Sequence, residues 1–221
     1  MRILLIDTCG EMGSVALADT DATMPGAVST VLLGRSASER LVATVRDLAA
    51  QARVQLHELN AIAVVNGPGS FTGVRVGVSA AKGLCEALGI PVVAISRLAV
   101  LAESAGIDER VLALLDAGRG EFYCGIYNGE TCVREALLSR DQVLEAVAEG
   151  GRVIACEARV AEGLTELSPV LVPANLAEIA LEIAVRRVAS GAFDDTVTLD
   201  ANYLRRTDAE IFAKQQAART S

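Results

Sequence analysis

Short apolar runs closed by Gly, Asp or Pro alternate along this chain with longer stretches whose apolar positions recur every three or four residues. The first pattern predicts buried strands and the second amphipathic helices. The first half opens with a strand ending at Asp7, a Gly-bearing turn and a return strand reaching Leu17, then a third strand at Thr30 to Leu33. A helix from about Ser38 to Arg53 follows, then a strand at Ala61 to Val65, a helix ending at Leu88 and a strand at Pro91 to Ile95. The second half repeats this order less regularly. Strands are expected near Val111 to Leu115, Phe122 to Tyr127 and Val133 to Leu138, a helix at Asp141 to Glu149, a strand at Val153 to Cys156 and a helix at Leu176 to Ser190. Each half begins with a hydrophobic strand ending in Asp (Asp7 and Asp116), a glycine-bearing turn and a second apolar strand, which is the signature of a β-hairpin. The two aspartates stand about half the chain apart, pointing to a duplication and to two lobes, residues 1–108 and 109–221. The predicted class is α/β, with helices covering mixed sheets.

The stretch from Ala61 to Leu88 carries the most specific pattern. Asn66-Gly-Pro-Gly-Ser-Phe-Thr-Gly73 joins an apolar strand to a small-residue helix in which Gly73, Gly77 and Ala81 share one face. Each interior glycine costs a helix about 0.5–1 kcal/mol relative to alanine, so something large must lie flat against that face. The Gly-Pro-Gly loop reads either as a tight turn or as a site for an anion or a partner, because a helix N-terminus presents unpaired N–H groups. It lacks the Gly-Lys-Ser/Thr ending of a P-loop and the Gly-x-Gly-x-x-Gly of a dinucleotide fold, and alone it assigns no chemistry. The helix from Ser38 offers Leu41, Val45, Leu48 and Ala52 on one side, with Val42 and Ala49 beside them. The two helices together predict a protein-binding surface made of Leu41, Val45, Leu48, Gly73, Val74, Gly77, Val78 and Ala81. Service to the core alone is the competing reading.

Composition narrows the function. With 221 residues, 52% of them hydrophobic, the chain can bury one large core or two modest ones. A net charge of −8 and a pI near 4.8 argue against direct, tight nucleic-acid binding, which needs clustered Lys and Arg to displace counterions. Five cysteines without a Cys-x-x-Cys pair suggest buried thiols in a reducing compartment, so a cytoplasmic location is expected. The N-terminal run reaches Asp7 after four apolar residues, too soon for a signal peptide or a membrane span. The single histidine, His57, lies among Gln55, Glu58 and Asn60, as a solvated helix-end or loop residue would. One histidine leaves no His-based metal cluster and no spare imidazole for a Ser-His-Asp triad.

Two lobes with an Asp at each first turn resemble the actin, sugar-kinase and Hsp70 (ASKHA) superfamily, where paired hairpins grip the phosphates of ATP and acidic residues hold magnesium. The resemblance makes Asp7, Thr8 and Asp116 candidates for a vestigial nucleotide site; simple turn formation is the alternative for the two aspartates. The chain also resembles the TsaB (YeaZ) family, a non-catalytic subunit of the bacterial machinery that makes threonylcarbamoyladenosine in tRNA. The matching residues are Ile6-Asp-Thr8, Ser38-Glu39 with Leu41, the signature loop Gly67, Pro68, Gly69, Ser70, Phe71, Thr72 with Arg75, Gly77, Ala81-Lys-Gly83, Gly89-Ile-Pro91, Asp116-Ala117, Glu121 to Tyr123, and Tyr203 to Arg206. Where many relatives have Thr-Ser after the first aspartate and His before Ser38, this chain has Cys9 and Ala37. The catalytic paralogue, TsaD, carries two metal-binding histidines four apart; counted from Pro91, those positions fall on Arg97 and Leu101, neither of which can ligate a metal. The resemblance therefore implies no catalytic residue, no metal and no cofactor. It implies a scaffold that dimerises, binds TsaD, is joined by the ATPase TsaE, and meets tRNA only through the complex, with no membrane role. A metallo-glycopeptidase or an ATP-dependent phosphotransferase of the same superfamily is the alternative; a His-x-x-x-His pair would support the former, and none is present.

Overall fold

The structure, a computed structural model, describes residues 1–20, 26–33, 37–106 and 109–205. Its strands form two five-stranded sheets. The first contains β1 (Arg2–Asp7), β2 (Met12–Asp19), β3 (Gly26–Leu33), β4 (Ala61–Val65) and β5 (Val92–Ile95), in the order β3-β2-β1-β4-β5. The second contains β6 (Arg110–Gly118), β7 (Glu121–Asn128), β8 (Thr131–Ser139), β9 (Arg152–Ala155) and β10 (Val170–Leu171), in the order β10-β9-β6-β7-β8. In each sheet the first strand pairs antiparallel with the second and parallel with the fourth. The duplication read from the two hairpins thus extends to the whole sheet.

Central strands sit where the sequence is continuously apolar. Ile3 to Ile6 and all of β4 are fully or almost fully buried. A strand with no exposed face must be covered on both sides. Helices α1 (Ala37–Gln51) and α2 (Phe71–Leu88) pack on the first sheet, and so does α6 (Ala177–Ala189), which contributes Ala177, Ala180, Leu181 and Ala184 to that core. The remaining helices are α3 (Arg97–Glu103), α4 (Arg140–Ala148) and α5 (Ala158–Gly163). The short α3 was not expected from periodicity, and it packs on the second sheet, where Leu98, Leu101 and Ala102 meet Val111, Ala113, Leu115 and Tyr127.

A division at residues 108 and 109 therefore separates the sheets but not the cores. Each half lends a helix to the other, because α6 supplies the apolar cover that β1 and β4 require and α3 covers β6 and β7. Beyond α6 the chain returns along the first lobe. Asp194 bridges to Val92, and Lys82 Nζ donates to the carbonyls of Val197 and Leu199 at 3.1 and 3.0 Å. The amide of Asn202 then donates to Asn66 O at 2.7 Å, beside the Gly-Pro-Gly loop.

Candidate functional site

The glycines after β4 are dictated by what lies against them. A Cβ on Gly69 would stand 2.3 Å from Cys9 O, and one on Gly73 would stand 2.0 Å from Thr8 O. A Cβ on Gly77 would meet Thr8 Oγ1 at 2.5 Å. The large object against the small-residue face is thus the β1–β2 turn. Ser70 caps α2, accepting from Gly73 N, while the Ser70 amide donates to Cys9 O at 2.8 Å. Gly67, at φ 108°, presents its carbonyl to the amide of Arg97 at 2.7 Å. These contacts make the loop a structural joint between hairpin, α2 and α3.

This geometry corrects the expected protein-binding face. Leu41, Val45 and Leu48 of α1 and Val74, Val78 and Ala81 of α2 are 6% exposed or less and belong to the first core, while Gly73 and Gly77 are covered by Thr8. Of these side chains only Val74 borders a surface cavity; the others cannot meet a partner without unfolding the lobe. What α1 and α2 leave outside is a different set, with Val42 68% exposed and open space over Gly83. The side chains of Ala37 and Ser38, and all of Arg206, lie outside the described residues.

The two hairpin turns are bridged by arginines of other segments, Arg97 beside Asp7 and Arg159 between Glu11 and Asp116. Asp7 Oδ1 accepts from the Cys9 amide at 2.8 Å, and Asp116 Oδ1 accepts from the Gly118 amide at 2.8 Å. The same i to i+2 bond shapes each turn, which is the turn-forming role available to Asp. Thr8 is turned away: its hydroxyl is buried and donates to Gly73 O at 2.6 Å, so it leaves the nucleotide set. The Cys9 thiol, also buried, donates to Val65 O at 3.0 Å.

Cations of the chain itself fill the space between the turns. Arg97 Nη2 lies 3.3 Å from Glu157 Oε1, and the other oxygen of Glu157 accepts from the Asp116 amide at 2.7 Å. Arg159 pairs with Asp116 at 3.7 Å and with Glu11 at 3.2 Å, on an exposed rim where such pairs count for little. Burial pushes the Asp7 carboxyl above the ordinary aspartate range, although Arg97 pulls the other way. Burial opposes the charge on Arg97 too, but nearby Cys156, Asp7 and Glu157 hold its guanidinium above its usual value, so it stays charged. Leu101, the other position compared with a metal-binding histidine, is buried in the core. Among the described residues no group of three His, Cys, Asp or Glu could hold a metal ion. Sequence reading missed Glu157 and Arg159, which follow β9 with no local motif; only the fold brings them to Asp116.

Some of the signature residues converge elsewhere, on a cavity of about 450 Å³ lined by Pro68, Gly69, Phe71, Ala117, Tyr123 and Tyr203 among others. The Arg75 guanidinium lies 3.2 Å over the Phe71 ring and 5.2 Å from that of Tyr203. Arg205 donates to Ala117 O at 2.9 Å and pairs with Glu121 at 2.8 Å, which ties the C-terminal segment to the β6–β7 turn. Exposed His57 sits in a short 3-10 turn, as its polar surroundings implied.

Duplicated lobes and aspartate turns bridged by internal cations define an ASKHA-like protein without a metal-ligand set in the described residues. The model of the TsaD family, described as tRNA N6-adenosine threonylcarbamoyltransferase, matches residues 19–217. The tRNA threonylcarbamoyladenosine biosynthesis protein TsaB of Escherichia coli is 38% identical over 156 residues, covering 66% of this chain and 65% of its own length. TsaB of Bacillus subtilis is 33% identical over 147 residues, 66% of this chain and 63% of its own. The chain thus spans slightly under two thirds of these curated relatives. The solved structure of YeaZ from Pseudomonas aeruginosa superimposes with a TM-score of 0.77 at 34% identity, covering 92% of this chain and 100% of that one. The chain belongs to the TsaD family, in its TsaB (YeaZ) branch.

Proposed function

We propose that this chain is a non-catalytic subunit that binds and stabilises a TsaD-type transferase, within the complex that moves threonylcarbamoyl onto the adenosine 3′ of the anticodon in tRNA. The observation that carries the reading is Arg97. At a position compared with a metal-binding histidine of the paralogue, a fixed guanidinium sits beside Asp7 and Glu157, a cation the chain carries itself. The names of the TsaB relatives supply the pathway. The partner surface we assign to the outward faces of α1 and α2, where Val42 is exposed and Gly83 permits close backbone approach. The same faces serve self-association, TsaE joins the assembled pair, and tRNA is met through the complex. The setting is cytoplasmic; no helix among the described residues is long and apolar enough to cross a membrane.

The test is binding of purified TsaD to the full chain and to a Val42→Asp/Gly83→Leu double variant, with thermal unfolding of both. Loss of TsaD binding by a well-folded double variant is expected. Unchanged binding would place the interface elsewhere, and no binding by the parent chain would overturn the subunit reading.

A further inference from the structure

The cavity at the signature loop has the composition of a binding hot spot. Phe71 is 57% exposed and Tyr203 41% exposed, large values for rings that could have been buried. Arg75 is held over both, in a stack that fixes three side chains before any partner arrives. Tyr, Phe and Arg are the residues enriched at the centres of protein interfaces, and groups fixed in advance lose little entropy on binding. The volume, about 450 Å³, is enough for one large apolar side chain and its neighbours.

Charge selects the occupant. Among the described residues no carboxylate pairs with Arg75, and Arg119, exposed at the tip of the β6–β7 turn with φ 59°, has no ion-pair partner there either. Guanidinium groups of this kind match carboxylates or phosphates in bidentate fashion. Two such cations on a chain of net charge −8 release too few counterions to hold RNA, since each neutralised phosphate contributes a salt slope of only about 0.7 for a single strand. An acidic protein segment needs just one or two carboxylates and an apolar anchor.

We infer that this cavity docks an acidic segment of the partner transferase, an apolar side chain seated against Phe71, Tyr123 and Tyr203 and carboxylates meeting Arg119 in its lining and Arg75 beside it, stacked on Phe71. The inference rests on the subunit reading but concerns the first turns of α2 together with the β6–β7 turn and Tyr203, not Val42 and Gly83. It accounts for Phe71, Arg75, Ala117, Tyr123 and Tyr203 meeting at one place although three separate parts of the chain supply them.

The experiment titrates full-length TsaD onto the full chain and onto Arg75→Glu/Arg119→Glu, with Arg75→Gln as a milder variant, at about 0.05 and 0.5 M salt. Thermal unfolding checks each variant. Expected is a loss of at least about tenfold in affinity for the charge reversal, a smaller loss for Arg75→Gln, and a parent affinity that falls toward the variant's at high salt. A folded charge-reversed chain that binds TsaD as the parent does overturns the inference while leaving the subunit reading intact. The same holds if TsaD binding is kept and only tRNA retention by the complex is lost, which makes RNA the occupant, or if only self-association changes. A parent chain that does not bind TsaD overturns both. If removing residues 206–221 alone raises TsaD affinity and abolishes the difference between parent and variant, the cationic site belongs to the chain's own C-terminal segment, and the inference falls.

Discussion

The three glycines of α2 should respond to the same substitution with graded and opposite effects. Alanine raises intrinsic helix stability by about 1 kcal/mol over glycine at any interior position. At Gly73 the new methyl would lie 2.0 Å from the backbone carbonyl oxygen of Thr8, a contact no rotamer change can relieve. Relief requires α2 to move off the β1–β2 turn, weakening the 2.6 Å bond from Thr8 Oγ1 to Gly73 O and the seat of Gly69 on Cys9. Overpacking of this kind costs about 1–3 kcal/mol, and a backbone contact belongs at the upper end. The net is a loss of about 2 kcal/mol, or about 4–8 °C in Tm for a chain of this length. Gly77→Ala meets only the Thr8 hydroxyl, at 2.5 Å, which can rotate away once its hydrogen bond is given up, so its net effect should be near zero to about 1 kcal/mol of loss. At Gly83 nothing lies within 4 Å, and alanine should raise Tm by about 2–4 °C. Calorimetric unfolding of the three full-length variants reads the series directly. A neutral or stabilising Gly73→Ala would refute the close approach of α2 to Thr8, and a destabilising Gly83→Ala would show that the face above it is already covered.

Arg97→Leu should destabilise by about 3 kcal/mol, because it strands the half-buried carboxylates of Asp7 and Glu157. The Asp7 carboxyl is already raised in the folded state, so its protonation favours folding. The stability tied to that proton is present below the ordinary aspartate range and lost as pH rises through the raised value, and the variant's deficit should therefore be largest at pH 7 and shrink toward pH 4; an unchanging deficit across that range would contradict the placement of Asp7. Burial pushes the thiols of Cys85 and Cys124 up to about 11 and about 12 and that of Cys9 well above its usual value, so at pH 8 a disulfide reagent should reach exposed Cys132 first and the buried thiols only after unfolding. Elemental analysis of untagged protein should find no stoichiometric zinc or iron; a metal that survives dialysis would contradict the scaffold reading.

Hairpins, helices and central strands were legible because each is written locally, in apolar runs that end at Asp, Gly or Pro. Ala61–Val65 emerges with the expected bounds. The seven-residue α3 was hidden by its length, since two turns carry little periodicity, and the exchange of α3 and α6 between the lobes depends on which sheet face lacks cover. The glycine pattern correctly announced a close neighbour, but periodicity cannot say whether the neighbour belongs to the same chain. Here it is Thr8, and the predicted partner face is core. The roles of Glu157 and Arg159 were beyond reach because an ion pair between distant segments leaves no mark in either.

The central claim, a subunit required by a transferase but not itself the catalyst, is tested most directly by reconstitution. Transfer of labelled threonylcarbamoyl from threonylcarbamoyl adenylate to unmodified tRNA, with release of AMP, would be measured with TsaD and TsaE from the same cells, with and without this chain, and with the chain in place of TsaD. The account predicts transfer only when TsaD and the chain are both present, and none by the chain without TsaD. Transfer supported by the chain in the absence of TsaD, or undiminished transfer by TsaD and TsaE without it, would contradict the account.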